Sequence, residues 1–144
     1  ESVTAIDLSE DILAQLAQRA KKCGIDNIQG IEGSMEDIPL PDASHEVSVL
    51  SQALHHAQSP LRALEEARRI LVPGGRVLVI DLLAHSEEWV VEKYEHIHLG
   101  FSEAELEELL GSAGFESIHV QRVARDPQPP HFMTLVATAS NPEA

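Results

Sequence analysis

Residues 76–82 read Arg-Val-Leu-Val-Ile-Asp-Leu, directly behind the stop signal Val72-Pro-Gly-Gly75. An apolar run of strand length is typical of a strand buried on both faces, as in a parallel sheet with helices above and below. The rest of the chain has to supply those helices and the neighbouring strands. Its periodicities do so in alternation. Residues 2–7 are β-prone and end on an acid. Ser9 has the character of an N-cap, followed by Glu10 and Asp11 where negative charge suits the helix dipole. Apolar Ile12, Leu13, Leu16, Ala17 and Ala20 keep a 3.6-residue period until Lys21, Lys22 and Gly24 close the helix.

Further strands are expected near 27–32 and 46–51, with an amphipathic helix over 60–71. Helices follow at about 86–98 and 102–113, the second opening on Ser102-Glu-Ala-Glu105 and closing on Ala113-Gly114. Strands at 115–123 and 131–139 flank the turn-forming Asp126-Pro-Gln-Pro-Pro130. The order predicts an α/β fold with a mostly parallel sheet and a C-terminal antiparallel β-hairpin. The domain is expected over residues 1–139, with 140–144 as a disordered tail.

The sequence has 144 residues and a formal net charge of −14, with 24 acidic against 10 basic side chains. Such a balance opposes direct contact with nucleic acid, which needs a Lys/Arg surface. No apolar run approaches the ~20 residues of a membrane span. The single cysteine, Cys23, allows no internal disulfide and fits no zinc spacing, and a cytoplasmic location is expected.

Five segments in order carry a family resemblance: Val3-Thr-Ala-Ile-Asp-Leu-Ser9, Gly33-Ser-Met-Glu-Asp-Ile-Pro-Leu-Pro-Asp42, Ser51-Gln-Ala-Leu-His-His56, Leu71-Val-Pro-Gly-Gly-Arg-Val77, and Gly100-Phe-Ser-Glu-Ala-Glu-Leu106 through Ala113-Gly-Phe115. Together they resemble the class I (Rossmann-like) S-adenosylmethionine-dependent methyltransferases, nearest to the UbiE-like group. Asp81-Leu-Leu-Ala-His85, Trp89 and Gly100-Phe101 are similar to methyltransferase domains fused behind ArsR-type helix-turn-helix repressors.

The resemblance implies S-adenosyl-L-methionine as cofactor and a small-molecule methyl acceptor. Ligands of open α/β sheets sit beyond the carboxyl ends of the strands. Asp7 at such an end is expected to accept from the ribose hydroxyls, and Leu8 to pack on the adenine. Ser34 and Met35 would read the adenine edge, and Ser51 and Gln52 would line the pocket near the methionine part. Relatives usually carry Asp where this chain has Ser34, which removes a charge-assisted hydrogen bond.

His55 and His56 follow the strand that would face the methyl donor, and one of them is expected to orient a nucleophile or take its proton; an imidazole titrates near ~6.5. Filling and capping the turn is the structural alternative. His85, Glu88, Glu92, His96 and His98 raise a metal site, but the spacing matches no standard one and no metal is expected. The resemblance places a first strand and a glycine-rich loop well before Asp7, and the sequence opens six residues before it. The expected fold therefore lacks both, and its open edges are expected to associate, a homodimer among the outcomes. Two other functions stay open: a non-catalytic sensing or dimerisation domain of an ArsR-type regulator, and a nucleotide-binding oxidoreductase.

Overall fold

The computed structural model describes residues 1–87, 89 and 98–143. Among the described residues, six strands and three helices follow the expected order: β1 (Val3–Asp7), α1 (Glu10–Lys22), β2 (Ile28–Glu32), β3 (His45–Ser51), α2 (Pro60–Arg69), β4 (Leu71–Leu82), α3 (Glu103–Ser112), β5 (Glu116–Arg125) and β6 (Met133–Ser140). A 3₁₀ turn, Leu54–His56, lies between β3 and α2. The helix expected over 86–98 falls mainly on residues outside those described.

The expected α/β fold stands, with its strands in two sheets. β1 pairs with β2 in parallel; the second sheet runs β3-β4-β6-β5, parallel between β3 and β4 and antiparallel on either side of β6. Among the described residues, β1 and β3 are therefore each paired on one edge only. Exposed Val47 and Val49 lie on β3, and Val3, Leu8 and Ile12 are exposed in the β1–α1 unit.

The caps behave as the residue types demand. Ser9 accepts from the amide of Ile12, Ser59 from that of Arg62 with Pro60 in the first turn, and Ser102 forms a full capping box with Glu105. The main core lies between α2, α3 and the second sheet: Leu64 and Ala67 of α2 and Leu106 and Leu110 of α3 meet Val77, Val79, Leu135 and Ala137. No residue of the β1–α1–β2 unit belongs to this cluster.

Three details differ from expectation. β4 begins at Leu71, so Pro73-Gly74-Gly75 lies inside the strand; the pairing with β3 slips between His45 and Val47 to absorb it. Gly74 takes φ +80°, a backbone that glycine adopts without strain. Along β4, Val77, Val79 and Asp81 are buried while Leu78 and Ile80 are half-buried, so one face is covered more fully than the other. The chain also holds its order past 139. Ser140 closes β6, and buried Asn141 donates through Nδ2 to the carbonyls of Leu71 and Val72, so residues 140 and 141 are held against β4.

Candidate functional site

The sequence-predicted site residues lie at or just beyond the carboxyl ends of β1, β2 and β3. Asp7 is the last residue of β1, and its Oδ1 accepts from the amide of Ser9 at 2.9 Å, which fixes the carboxylate at the start of α1. Leu8 beside it is 70% exposed, an unusual position for a leucine and an available apolar face next to an acid.

The amide of Gly33 donates to the carbonyl of Asp7 at 3.0 Å, so the loop after β2 runs against the end of β1. There, Ser34 accepts from Glu36 N through Oγ at 3.1 Å, which tightens the loop, and Met35 packs against the main core. A Cβ at Gly33 would come within 2.7 Å of the Pro39 ring, so the loop closes tightly on itself at this point.

Acidic residues fasten this loop to α2. Glu36 accepts from the amides of Gln58 and Ser59 at 3.2 and 2.7 Å, at the helix N-terminus where an anion is favoured. Buried Glu66 accepts from Ile38 N at 2.7 Å and from Arg69 at 2.9 and 3.0 Å. Arg69 in turn donates to the carbonyls of Ile38 and Leu40 and to Asp42. The hydrogen bond from Arg69 holds the Glu66 carboxyl below its ordinary pKa, against burial, with help from the Ile38 amide. Glu66 in return raises the Arg69 guanidinium, so both stay charged across the working pH range.

Ser51 ends β3 and is exposed; Gln52 turns with φ +53°, its amide donating to Ile80 O at 2.8 Å. The two histidines then differ. His55 is 2% exposed and donates from Nδ1 to Asp81 Oδ1 at 2.7 Å, while its backbone amide reaches Oδ2 at 3.2 Å. Leu82 N also donates to Asp81, at 2.7 Å. His56 is half-buried, its ring centroid 4.2 Å from that of His55. His98 locks the same turn from outside, donating from its amide to His55 O and engaging Ala57 O through Nε2.

Sequence reasoning missed Asp81 as the partner of His55, although an acid closing the run Val-Leu-Val-Ile-Asp was the signal: a carboxylate at a buried position has to be paired. It also missed the Glu36 and Glu66 clamps, which join segments some 22 to 28 residues apart. Among the described residues, no three His, Cys, Asp or Glu side chains form a group able to hold a metal; Glu88, Glu92 and His96 lie outside those residues.

The methyltransferase domain family model matches residues 1–79. The chain belongs to the class I S-adenosylmethionine-dependent methyltransferase family. It is 28% identical to the uncharacterized protein YafE of Escherichia coli K12 over 99% of this chain and 72% of that one. It is 36% identical to the ubiquinone/menaquinone biosynthesis C-methyltransferase UbiE of Brucella anthropi over 55% of this chain and 30% of that protein. The fold is shared with phosphoethanolamine N-methyltransferase 2 of Haemonchus contortus in complex with S-adenosyl-L-methionine. That match has a TM-score of 0.83 at 15% identity and covers 99% of this chain but 44% of the other. UbiE and the Haemonchus enzyme are thus spanned over less than half their length.

Proposed function

We propose that the protein transfers a methyl group from S-adenosyl-L-methionine to a small-molecule acceptor. The observation that carries this is the end of β1: a carboxylate oriented by Ser9, with exposed Leu8 beside it and the Gly33–Ser34 loop against it. These residues fit the nucleoside part of the cofactor. Asp7 would accept from the ribose hydroxyls, Leu8 and Met35 would supply apolar contact, and Ser34 would address the adenine edge. When bound, the cofactor supplies an activated methyl group, so the protein's part is chiefly to align the reactants and exclude water.

Ser51 and Gln52, at the end of β3, fall on the route from the nucleoside to the acceptor. His55 is held by Asp81 and positions the turn; half-buried His56 is the ring to orient the acceptor or take its proton. No helix among the described residues is long and apolar enough to cross a membrane.

Calorimetric titration with S-adenosylhomocysteine tests the reading, with the Asp7→Ala variant alongside. Saturable binding that disappears in the variant is expected. Equal binding by both forms would remove Asp7 from the site and overturn the assignment.

A further inference from the structure

The two halves of the site come from different stretches of the chain. Ser34 and Met35 stand on the loop after β2, His55 and His56 on the turn between β3 and α2. Among the described residues, Glu36 joins them. Its carboxylate accepts from Ser59 N at 2.7 Å through Oε1 and from Gln58 N at 3.2 Å through Oε2. Its own amide donates to Ser34 Oγ at 3.1 Å, and its carbonyl accepts from Arg62 Nε at 3.2 Å. Ser34 lies two positions before Glu36, and His56 two positions before Gln58, so very little chain separates either site residue from this contact.

The helix does not need these bonds in order to form. Ser59 Oγ already accepts from Arg62 N, and Pro60 in the first turn brings no amide to satisfy. Nor are they the main fastening of the loop: at the other end of α2, Glu66 and Arg69 take up Ile38, Leu40 and Asp42. Gln58 and Ser59 belong instead to the short connection that leads from the 3₁₀ turn into α2. That turn is held on its sheet side by Asp81, which accepts from the His55 amide and Nδ1, and by His98 N, which donates to His55 O. Glu36 holds it from the side of the loop. A carboxylate engaged through both oxygens fixes direction as well as distance.

We propose that Glu36 is a positioning residue, which keeps the His55–His56 turn in register with the adenine-side loop so that filling the nucleoside site is felt at His56. It rests on the methyl-transfer reading and adds the residue that connects the donor side to the acceptor side. Exchange of the Gln58 and Ser59 amides requires their bonds to Glu36 to open. A nucleoside seated on Ser34 and Met35 holds the loop, makes that opening rarer and steadies His56. Ordering one segment thereby lowers the cost of ordering its neighbour.

The test saturates the isotope-labelled full chain with S-adenosylhomocysteine and follows amide exchange and the His56 ring resonance by NMR, with calorimetry alongside. Exchange at Gln58 and Ser59 is expected to slow about fivefold beyond any change at Ala113 of α3, roughly the weight of one hydrogen bond. The His56 resonance is expected to shift with the same saturation. Glu36→Ala should still bind the ligand but lose all three responses. Glu36→Gln keeps one acceptor oxygen and should retain the response at one amide. Glu66→Gln loosens the same loop at its other end and should retain all three. Native responses in Glu36→Ala overturn the proposal. Their loss in Glu66→Gln does so too, since they would then report loop stability in general. Loss of ligand binding in Glu36→Ala, as in Asp7→Ala, would make Glu36 part of the cofactor site and also overturns it. A native chain that binds the ligand with Gln58, Ser59 and His56 unchanged refutes the coupling and leaves the cofactor reading standing; a native chain that gives no calorimetric binding refutes the cofactor reading and the coupling with it.

Discussion

Replacing Glu66 by Gln tests whether the loop after β2 is held by charge or merely by shape. The carboxylate is 2% exposed and takes three short hydrogen bonds, one from Ile38 N at 2.7 Å and two from Arg69 at 2.9 and 3.0 Å. Each bond to a charged group contributes about 1.5–3 kcal/mol, offset by the several kcal/mol that desolvating the ion costs. Breaking a buried pair from one side usually costs about 3–5 kcal/mol. Gln keeps the volume and one acceptor oxygen, and Arg69 retains the carbonyls of Ile38 and Leu40 and the Asp42 carboxylate. A net loss of about 2–3 kcal/mol is expected.

With a urea m-value of about 1–3 kcal/mol/M, the unfolding midpoint followed by circular dichroism should fall by roughly 1–2 M at pH 7. The pH dependence gives a second reading. Because the folded pKa of Glu66 is depressed, its stabilisation is fully present above the unfolded value near 4.5 and is lost as pH falls through the folded value. The gap between native and variant should therefore narrow below about pH 4.5. A midpoint shift under about 0.3 M at pH 7, or a gap that stays constant on acidification, would refute the argument.

Two other perturbations have clear expected outcomes. Gly100→Ala introduces a Cβ 2.7 Å from the carbonyl oxygens of Leu82 and Leu83 at φ +84°, and should lower stability by about 2 kcal/mol or more, read as a lower melting temperature. The chain should elute from gel filtration ahead of a monomer at high concentration. Replacing exposed Val47 and Val49 of β3 by Lys should restore monomeric elution; unchanged elution would show that this edge is not the contact.

Elements with strong local signals were legible in the sequence. Ser9 and Ser102 cap their helices because a hydroxyl ahead of an amphipathic run satisfies local amides. The order of elements along the chain followed from alternation of periods, and the placement of Asp7, Ser34 and Ser51 at or just beyond strand ends followed from it. What escaped were features set by distant pairing. Whether β4 starts before or after Pro73-Gly74-Gly75 depends on how β3 pairs beside it, and nothing within residues 71–75 encodes that partner. His55 and His56 are adjacent and chemically identical; only the fold assigns one to Asp81 and leaves the other half-buried. The anchoring of Asn141 likewise depends on carbonyls 69 and 70 positions earlier.

The position of β6 carries a consequence for how the molecule comes into being. β6 follows β5 in the chain, yet it lies between β4 and β5 and is the sole described partner of β5. While residues 133–140 are still in the ribosomal tunnel, β5 has no strand to pair with and β4 has an open edge. Closure of the second sheet thus waits until residues 133–140 have emerged, and folding of this half is expected to be slowed by its long-range pairing. The β1–α1–β2 unit contains only nearby connections and can form while the rest is still being made.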